Sequence, residues 1–412
     1  MNFNRPQRRR IFLTLGVLAV AITVALRATG FFQAKYVIDV YPGGDIQKTL
    51  EAVVRRPRQT TVRVHAGTYR PLVPGQALIY FNARHDGVTL EAVGDVVLTA
   101  ANPDIANPKS AGYPAVVNHV VYFGDGISRA TTFRGFKITG ANGFLSGPPD
   151  LMIVRTRQDL EKSMAYRSLV PSPIESNNTL SKNHYFYADG GGMLIYGSSY
   201  PTIEAVEVYE NYASVCAGGV SVQHIPGPFR ESVLFKDCVF RDNRAAVAGS
   251  GVDLLTSNGW AVFENCLFAG NLSNTEIDAN GWLGFGALTV FPGCRATVRR
   301  CTFTANRNGV NDLGTGSTYH DTIFWRNNKE GGASPEKPYE LVVNSAEGVT
   351  GCMIGDGEID DPLHTIPRSA NTFGAPAPDF DARFRPRHPS YNGIGYRPPE
   401  ERVSDPARSR ER

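Results

Sequence analysis

The chain has 412 residues, with 42 Lys plus Arg against 39 Asp plus Glu, 42 % apolar residues, 10 % aromatics and 42 glycines. That composition carries enough apolar material for a sizeable core and excludes a collagen-like fibre or a disordered tail. Residues 1–27 hold five arginines and no acid, whereas residues 28–382 hold 29 basic and 35 acidic residues; the body is mildly acidic and lacks the basic stripe that nucleic-acid binding needs.

The N-terminus reads as a targeting segment. Arg8, Arg9 and Arg10 precede Ile11–Leu26, which carries no charge, and Arg27 closes the stretch. Sixteen residues is long for a signal-peptide core and short for a spanning helix, so residues 1–32 are expected to be a signal peptide or an N-terminal membrane anchor. Export to the periplasm, cell envelope or medium is the expectation in either case. Asp45 then reads as the N-cap of a short helix, because Ile46, Leu50 and Val53 form an apolar stripe at helical spacing. Such a helix would plug the open end of a solenoid.

A repeat dominates the middle of the chain. Val206 to Asn211, Cys238 to Asn243, Cys266 to Asn271, Cys301 to Asn306 and Thr322 to Asn327 align on their final asparagine, at spacings of 32, 28, 35 and 21 residues. Within each segment the first and third residues fall on one face of a strand. The stacked asparagine amides can bond one another, and asparagine is suited to a left-handed turn there. Weaker copies lie upstream, including Phe136-Lys-Ile-Thr followed by Asn142. A second strand recurs behind glycine at Gly192, Gly219, Gly251 and Gly286, and a third ends three residues before the cysteine column at Ile203, Phe235, Phe263 and Val298. Three short strands per repeat with turn residues in register predict an all-β fold, a single parallel β-helix.

The run Gly67-Thr-Tyr69, the glycine-headed strands, Asp321 to Asn327 and Gly355 to Pro362 together resemble secreted bacterial right-handed β-helix proteins of the pectate-lyase-like superfamily. The resemblance spans about residues 36–395 and implies a right-handed β-helix with a closing piece near Phe380 to Gly395; the repeat and coil lengths place the β-helix over 36–330 with a large insertion at 143–188, and an irregular closing segment with an Arg-rich tail at 331–412. It implies nothing firm about activity, since the superfamily includes lyases, hydrolases, esterases, epimerases and inert adhesins.

Six cysteines occur, three of them in one inward column, and residues stacked in register on parallel strands point the same way, so free thiols are expected. The insertion and residues 272–283 leave the same corner and would wall a groove over outward positions at Leu194 and Tyr196, Ser221 and Gln223, Asp253 and Leu255, and Leu288 and Val290. Candidate catalytic residues there are Asp253 with Glu276 or Asp278, since glycoside cleavage needs two facing carboxyls, and His224 as a base. Tyr196, Ser221, Gln223 and Trp282 are the candidate substrate contacts. No metal or cofactor is expected, with calcium at Gly355 to Asp361 as the weaker alternative because its ligand spacing fails the usual loop pattern. The expected function is that of a monomeric, exported protein that binds polysaccharide, with cleavage by a hydrolase or lyase route as a further step. A non-catalytic scaffold or adhesin is the competing expectation.

Overall fold

The computed structural model describes residues 36–71, 75–101, 117–143, 189–213, 216–224, 231–255, 258–275, 284–331 and 337–399. The targeting segment, nearly all of the 143–188 insertion and the tail beyond 399 lie outside them. Among the described residues the strands form sheets of 18, 8 and 3 members, and each of these strands pairs in parallel with its neighbour one coil away. The 8-stranded sheet runs in strict chain order from Gly75–Phe81 to Leu341–Val343. This is a parallel β-helix.

A helix caps the lumen at the N-terminal end, as the sequence implied. Strand β1 (Tyr36–Val40) pairs with β2 (Thr60–Tyr69), and helix α1 (Ile46–Ala52) starts at Asp45, whose side chain accepts from Lys48 N at 2.9 Å. Ile46, Leu50 and Val53 are buried. Gln47 does what a further coil would do for β3 (Gly75–Phe81): its Oε1 accepts from Tyr80 N and its Nε2 donates to Tyr80 O. Among the described residues no helix is long and apolar enough to cross a membrane.

The lumen is built from stacked rings. Phe240, Phe268, Phe303 and Phe324 lie one above another with centroids 4.4 to 5.2 Å apart. Beside them runs the asparagine ladder. Asn211, Asn243, Asn271 and Asn306 each donate Nδ2 to the Oδ1 of the next member, at 2.7 to 3.2 Å, and that same oxygen accepts the backbone N–H of the earlier asparagine. The second Nδ2 proton goes to a carbonyl of the preceding coil, such as Phe240 O for Asn271. All these groups are buried and all are satisfied, which a dry turn requires. The left-handed conformation belongs to the residue before each asparagine, not to the asparagine itself: Glu210, Asp242, Gly270, Ala305 and Arg326 have φ between 50° and 68°. The amide is therefore selected for its hydrogen bonds rather than for its backbone tolerance.

The ladder starts one residue earlier than Asn142, at Ala141, whose N–H bonds Asn211 Oδ1. It ends on a carboxyl. Glu340 Oε1 accepts from Asn327 N at 3.2 Å, and its other oxygen takes the Asn327 amide. Glu340 occupies the column that holds Gly309 one coil earlier, as the pairing of Val310 with Leu341 shows. A Cβ at Gly309 would stand 2.1 Å from Glu340 O, so this position needs glycine where the last coil can carry a long side chain. Gly357 makes room for that carboxyl, since a Cβ there would lie 2.4 Å from Glu340 Oε1.

Two boundaries move. Pairing continues well past residue 330, through Leu341–Val343 and Met353–Gly355 to Thr372–Phe373, and Cys352 falls one coil beyond Thr322 in the cysteine column. Beyond Phe373 the described chain has no strand and one short 3-10 helix, Pro389–Tyr391, but is firmly seated. It runs back along the solenoid, with Tyr391 against Ile323, Trp325 and Met353, Tyr396 against Leu267 and Ala269, and the Arg397 backbone bonded to Asn265. The strand expected behind Gly286 is also shifted by one residue. Leu288 pairs with Val252, so Leu288 and Val290 point into the lumen and Thr289 points out.

On the outside of the largest sheet one column alternates in charge for eight coils: Asp39, Arg63, Glu91, Arg134, Glu204, Lys236, Glu264 and Arg299. Burial opposes ionisation of Glu91, but hydrogen bonds from Arg134 and Arg63 hold its carboxyl below the usual range. Such partly exposed pairs are each worth little. Their order matters more, because displacing either half of the stack by one coil sets like charges opposite one another.

Desolvation pushes the Glu340 carboxyl up from 4.5 to about 8, against the hydrogen bonds from Asn327. The folded state therefore holds a proton that the unfolded chain releases near 4.5. Stability from this group is complete below pH 4.5 and declines as the pH rises through 8, by up to about 5 kcal/mol. Urea midpoints measured from pH 5 to 8 should show that decline, and Glu340→Gln should remove it. An equal slope in the Gln variant would assign the effect elsewhere.

Candidate functional site

The 8-stranded sheet carries one outward row with a residue from each coil. At its N-terminal end the row is apolar, with Tyr80, Tyr122 and Leu194 packed together; further on it is polar, with Ser221, Asp253, Thr289 and Asn311 in register. All seven are at most 5 % exposed. A polar row under cover must satisfy itself. Ser221 Oγ donates to Asp253 Oδ1 at 2.5 Å, and Gln223 Nε2 donates to Ser221 Oγ and to Asp189 Oδ2 at 3.0 and 3.1 Å. Asp189 Oδ1 accepts the Cys216 backbone N–H at 2.9 Å. Asn311 donates to the hydroxyl of Tyr339, which donates to Gly284 O.

The structure thus brings Asp253, Ser221 and Gln223 of the expected set into one hydrogen-bonded group, with Asp189 as a further member. Glu276, Asp278 and Trp282 lie outside the described residues, as does most of both loops expected to wall a groove. Tyr196 is half-buried beside Tyr80 and Tyr122. His224 is not placed as a base. Its Nε2 lies 2.8 Å from Ser199 O, and its Nδ1 is 3.2 Å from Asn258 O and accepts from Trp260 N. Burial holds its pKa below the ordinary value, the two carbonyls opposing. The ring ties two turns together.

One feature escaped the sequence, and a second was read only as far as Tyr196, Gln223 and Leu255. His119 lies fully buried next to Tyr122, with Nδ1 2.7 Å from Gly190 O and no hydrogen-bond partner for Nε2 among the described residues. Desolvation lowers its pKa to about 4, only partly offset by the Gly190 carbonyl, so Nδ1 carries the proton and donates. A lone histidine inside the apolar run His119–Phe123 was the only sequence signal. The second feature is a strip one step along the strands, where Tyr196, Gln223, Leu255, Phe291 and Leu313 succeed one another coil by coil. Tyr196, Leu255 and Phe291 are half-buried and Leu313 is 42 % exposed, so the strip is more accessible than the row beside it except at Gln223, which is buried. No disulfide joins any of the six cysteines and all six are buried, Cys238, Cys266 and Cys301 in the stacked column that led to that expectation. Among the described residues no three His, Cys, Asp or Glu side chains gather as a metal site.

A His119 imidazole held near 4 in the folded protein and near 6.5 in the unfolded chain contributes stability that is complete above pH 6.5. It is lost as the pH falls towards 4, by about 3 kcal/mol. The difference in urea midpoint between the parent and His119→Gln should therefore shrink over that range, and a constant difference would remove His119 from the acid limb.

No curated protein and no solved structure matches the chain. A family model described as a right handed beta helix region matches residues 169–329. With the parallel sheets, that match makes the fold a right-handed parallel β-helix and the chain similar to that family over the matched coils.

Proposed function

We propose that the protein is an exported β-helix that binds a polysaccharide along the axis of its 8-stranded sheet without cleaving it. The strip Tyr196, Gln223, Leu255, Phe291 and Leu313 carries this reading. It offers one side chain per coil, and parallel coils repeat about every 4.8 Å, close to the advance of one sugar ring along an extended glycan. Apolar side chains suit the C–H faces of sugars, whereas Gln223, 2 % exposed and bonded to Ser221 and Asp189, anchors the strip to the row beside it. Export is supported by the charge-free Ile11–Leu26 behind three arginines.

Burial argues for binding over chemistry. Asp253 and Asp189 are 0 % exposed and engaged by Ser221, Gln223 and the Cys216 backbone. A general acid or nucleophile must reach the glycosidic bond. The scaffold or adhesin reading agrees with these facts and differs only in whether a glycan is the partner.

Affinity electrophoresis against neutral and uronate polysaccharides tests the proposal. At least one glycan should retard the parent, and Leu313→Asp, at an exposed position, should weaken retention by about tenfold or more. Reducing ends and the absorbance of unsaturated uronates should stay flat. Retention by no glycan, or undiminished retention of Leu313→Asp, contradicts the strip; product formation abolished by Asp253→Asn would make the protein an enzyme.

A further inference from the structure

Seven large hydrophobic side chains are exposed among the described residues, and four of them, Tyr36, Val37, Ile38 and Tyr41, belong to β1 and the turn after it. They are 37 to 61 % exposed. Among the described residues strand β1 pairs only with β2, so its other edge is the open rim of the largest sheet. Arg55, Arg56 and Arg58 are exposed just before Thr60, the residue that pairs with Tyr36. The Arg56 guanidinium bonds the Tyr36 hydroxyl and lies 5.4 Å from the centre of its ring. Arg58 pairs with Asp86 yet keeps 71 % of its side chain exposed. The acids of this end are engaged in turn: Asp39 with His65, Asp45 with the helix N-terminus and Glu51 with Arg84.

An apolar rim of aromatic and branched side chains beside arginines is the chemistry of a surface that meets lipid headgroups, with tyrosine at the interface and cations on anionic phosphates. The chain before it points the same way. The charge-free stretch ends at Leu26, ten residues before Tyr36, and ten residues reach at most about 35 Å.

We propose that the β1 rim, through Tyr36, Val37, Ile38 and Tyr41 with Arg55 and Arg56, docks on an anionic lipid surface. The solenoid then stands end-on to the membrane with its C-terminal coils farthest from it. This rests on the reading of residues 1–32 as an uncleaved anchor. Docking also shields a sheet edge that would otherwise invite strand addition.

The full chain is reconstituted into vesicles of phosphatidylglycerol and phosphatidylethanolamine, with a nitroxide on Tyr41→Cys or, as control, on Leu363→Cys, the native thiols being buried. Collisions with oxygen, which partitions into lipid, are compared with those of a water-soluble nickel chelate. The expected result is a several-fold higher oxygen-to-nickel ratio at position 41 than at 363, falling when Val37 and Ile38 are both changed to Ser. If the vesicles float with the protein but the two labels give the same ratio, docking is wrong and the anchor stands. If the protein does not float with the vesicles, both ideas fail. A label at 41 shielded from both reagents in vesicles and in detergent alike would mean that a second copy covers the rim, which overturns the proposal.

Discussion

A buried amide that can neither reach water nor be left unbonded governs this molecule. From Ala141 to Glu340 each coil hands a side-chain oxygen to the N–H groups of the coil before it, and the turn exists only because those groups are satisfied. The consequences spread outward. Glycine at 219 and 309 is required because a Cβ at either would lie about 2 Å from a carbonyl of the next coil. The residue before each asparagine must accept a left-handed backbone, and chains as different as Glu210, Ala305 and Arg326 do so. The strain is modest beside the cost of an unbonded amide.

Where the ladder stops, its chemistry changes. No asparagine succeeds Asn327 in register, and Glu340 fills the place with a carboxyl that caps the amide, from a column that holds Gly309 one coil earlier. The last coils and the returning tail then cover the apolar outward positions at Ile323, Trp325 and Leu267. Both ends of the solenoid are thus finished by side chains imitating a missing coil, Gln47 against Tyr80 at one and Glu340 against Asn327 at the other.

Much of this was legible in the sequence, because asparagine, cysteine and phenylalanine recur at fixed offsets and the inward period of two is unambiguous in short strands. The capping helix was legible for the same reason, its N-cap and stripe being local signals. What failed was register where spacing varies. Gly286 looked like the head of its strand, but Ala287 stands opposite Gly251, and a one-residue slip exchanges Leu288 with Thr289. Coils beyond Lys329 were missed because they lack the asparagine, though Cys352 keeps the column. The polar row was half visible: Ser221, Gln223 and Asp253 could be placed on an outward face, while their burial could not, since cover comes from elsewhere in the chain. His119 gave only the weak signal of a lone histidine in an apolar run, which does not announce that its Nε2 has no hydrogen-bond partner among the described residues. The charge column went unread because its members are separated by coils of unequal length.

The central claim is that side-chain amides stacked coil over coil hold the solenoid together, and Asn271 at the middle of the ladder tests it most directly. Replacing it by Ala leaves Asn243 N and Nδ2 without an acceptor and Phe240 O without its donor. Equilibrium urea unfolding, followed by circular dichroism, should show a loss of roughly 3 kcal/mol or more, as expected for several buried groups left unbonded. A loss below about 0.5 kcal/mol, the size of an ordinary surface change, would contradict the account.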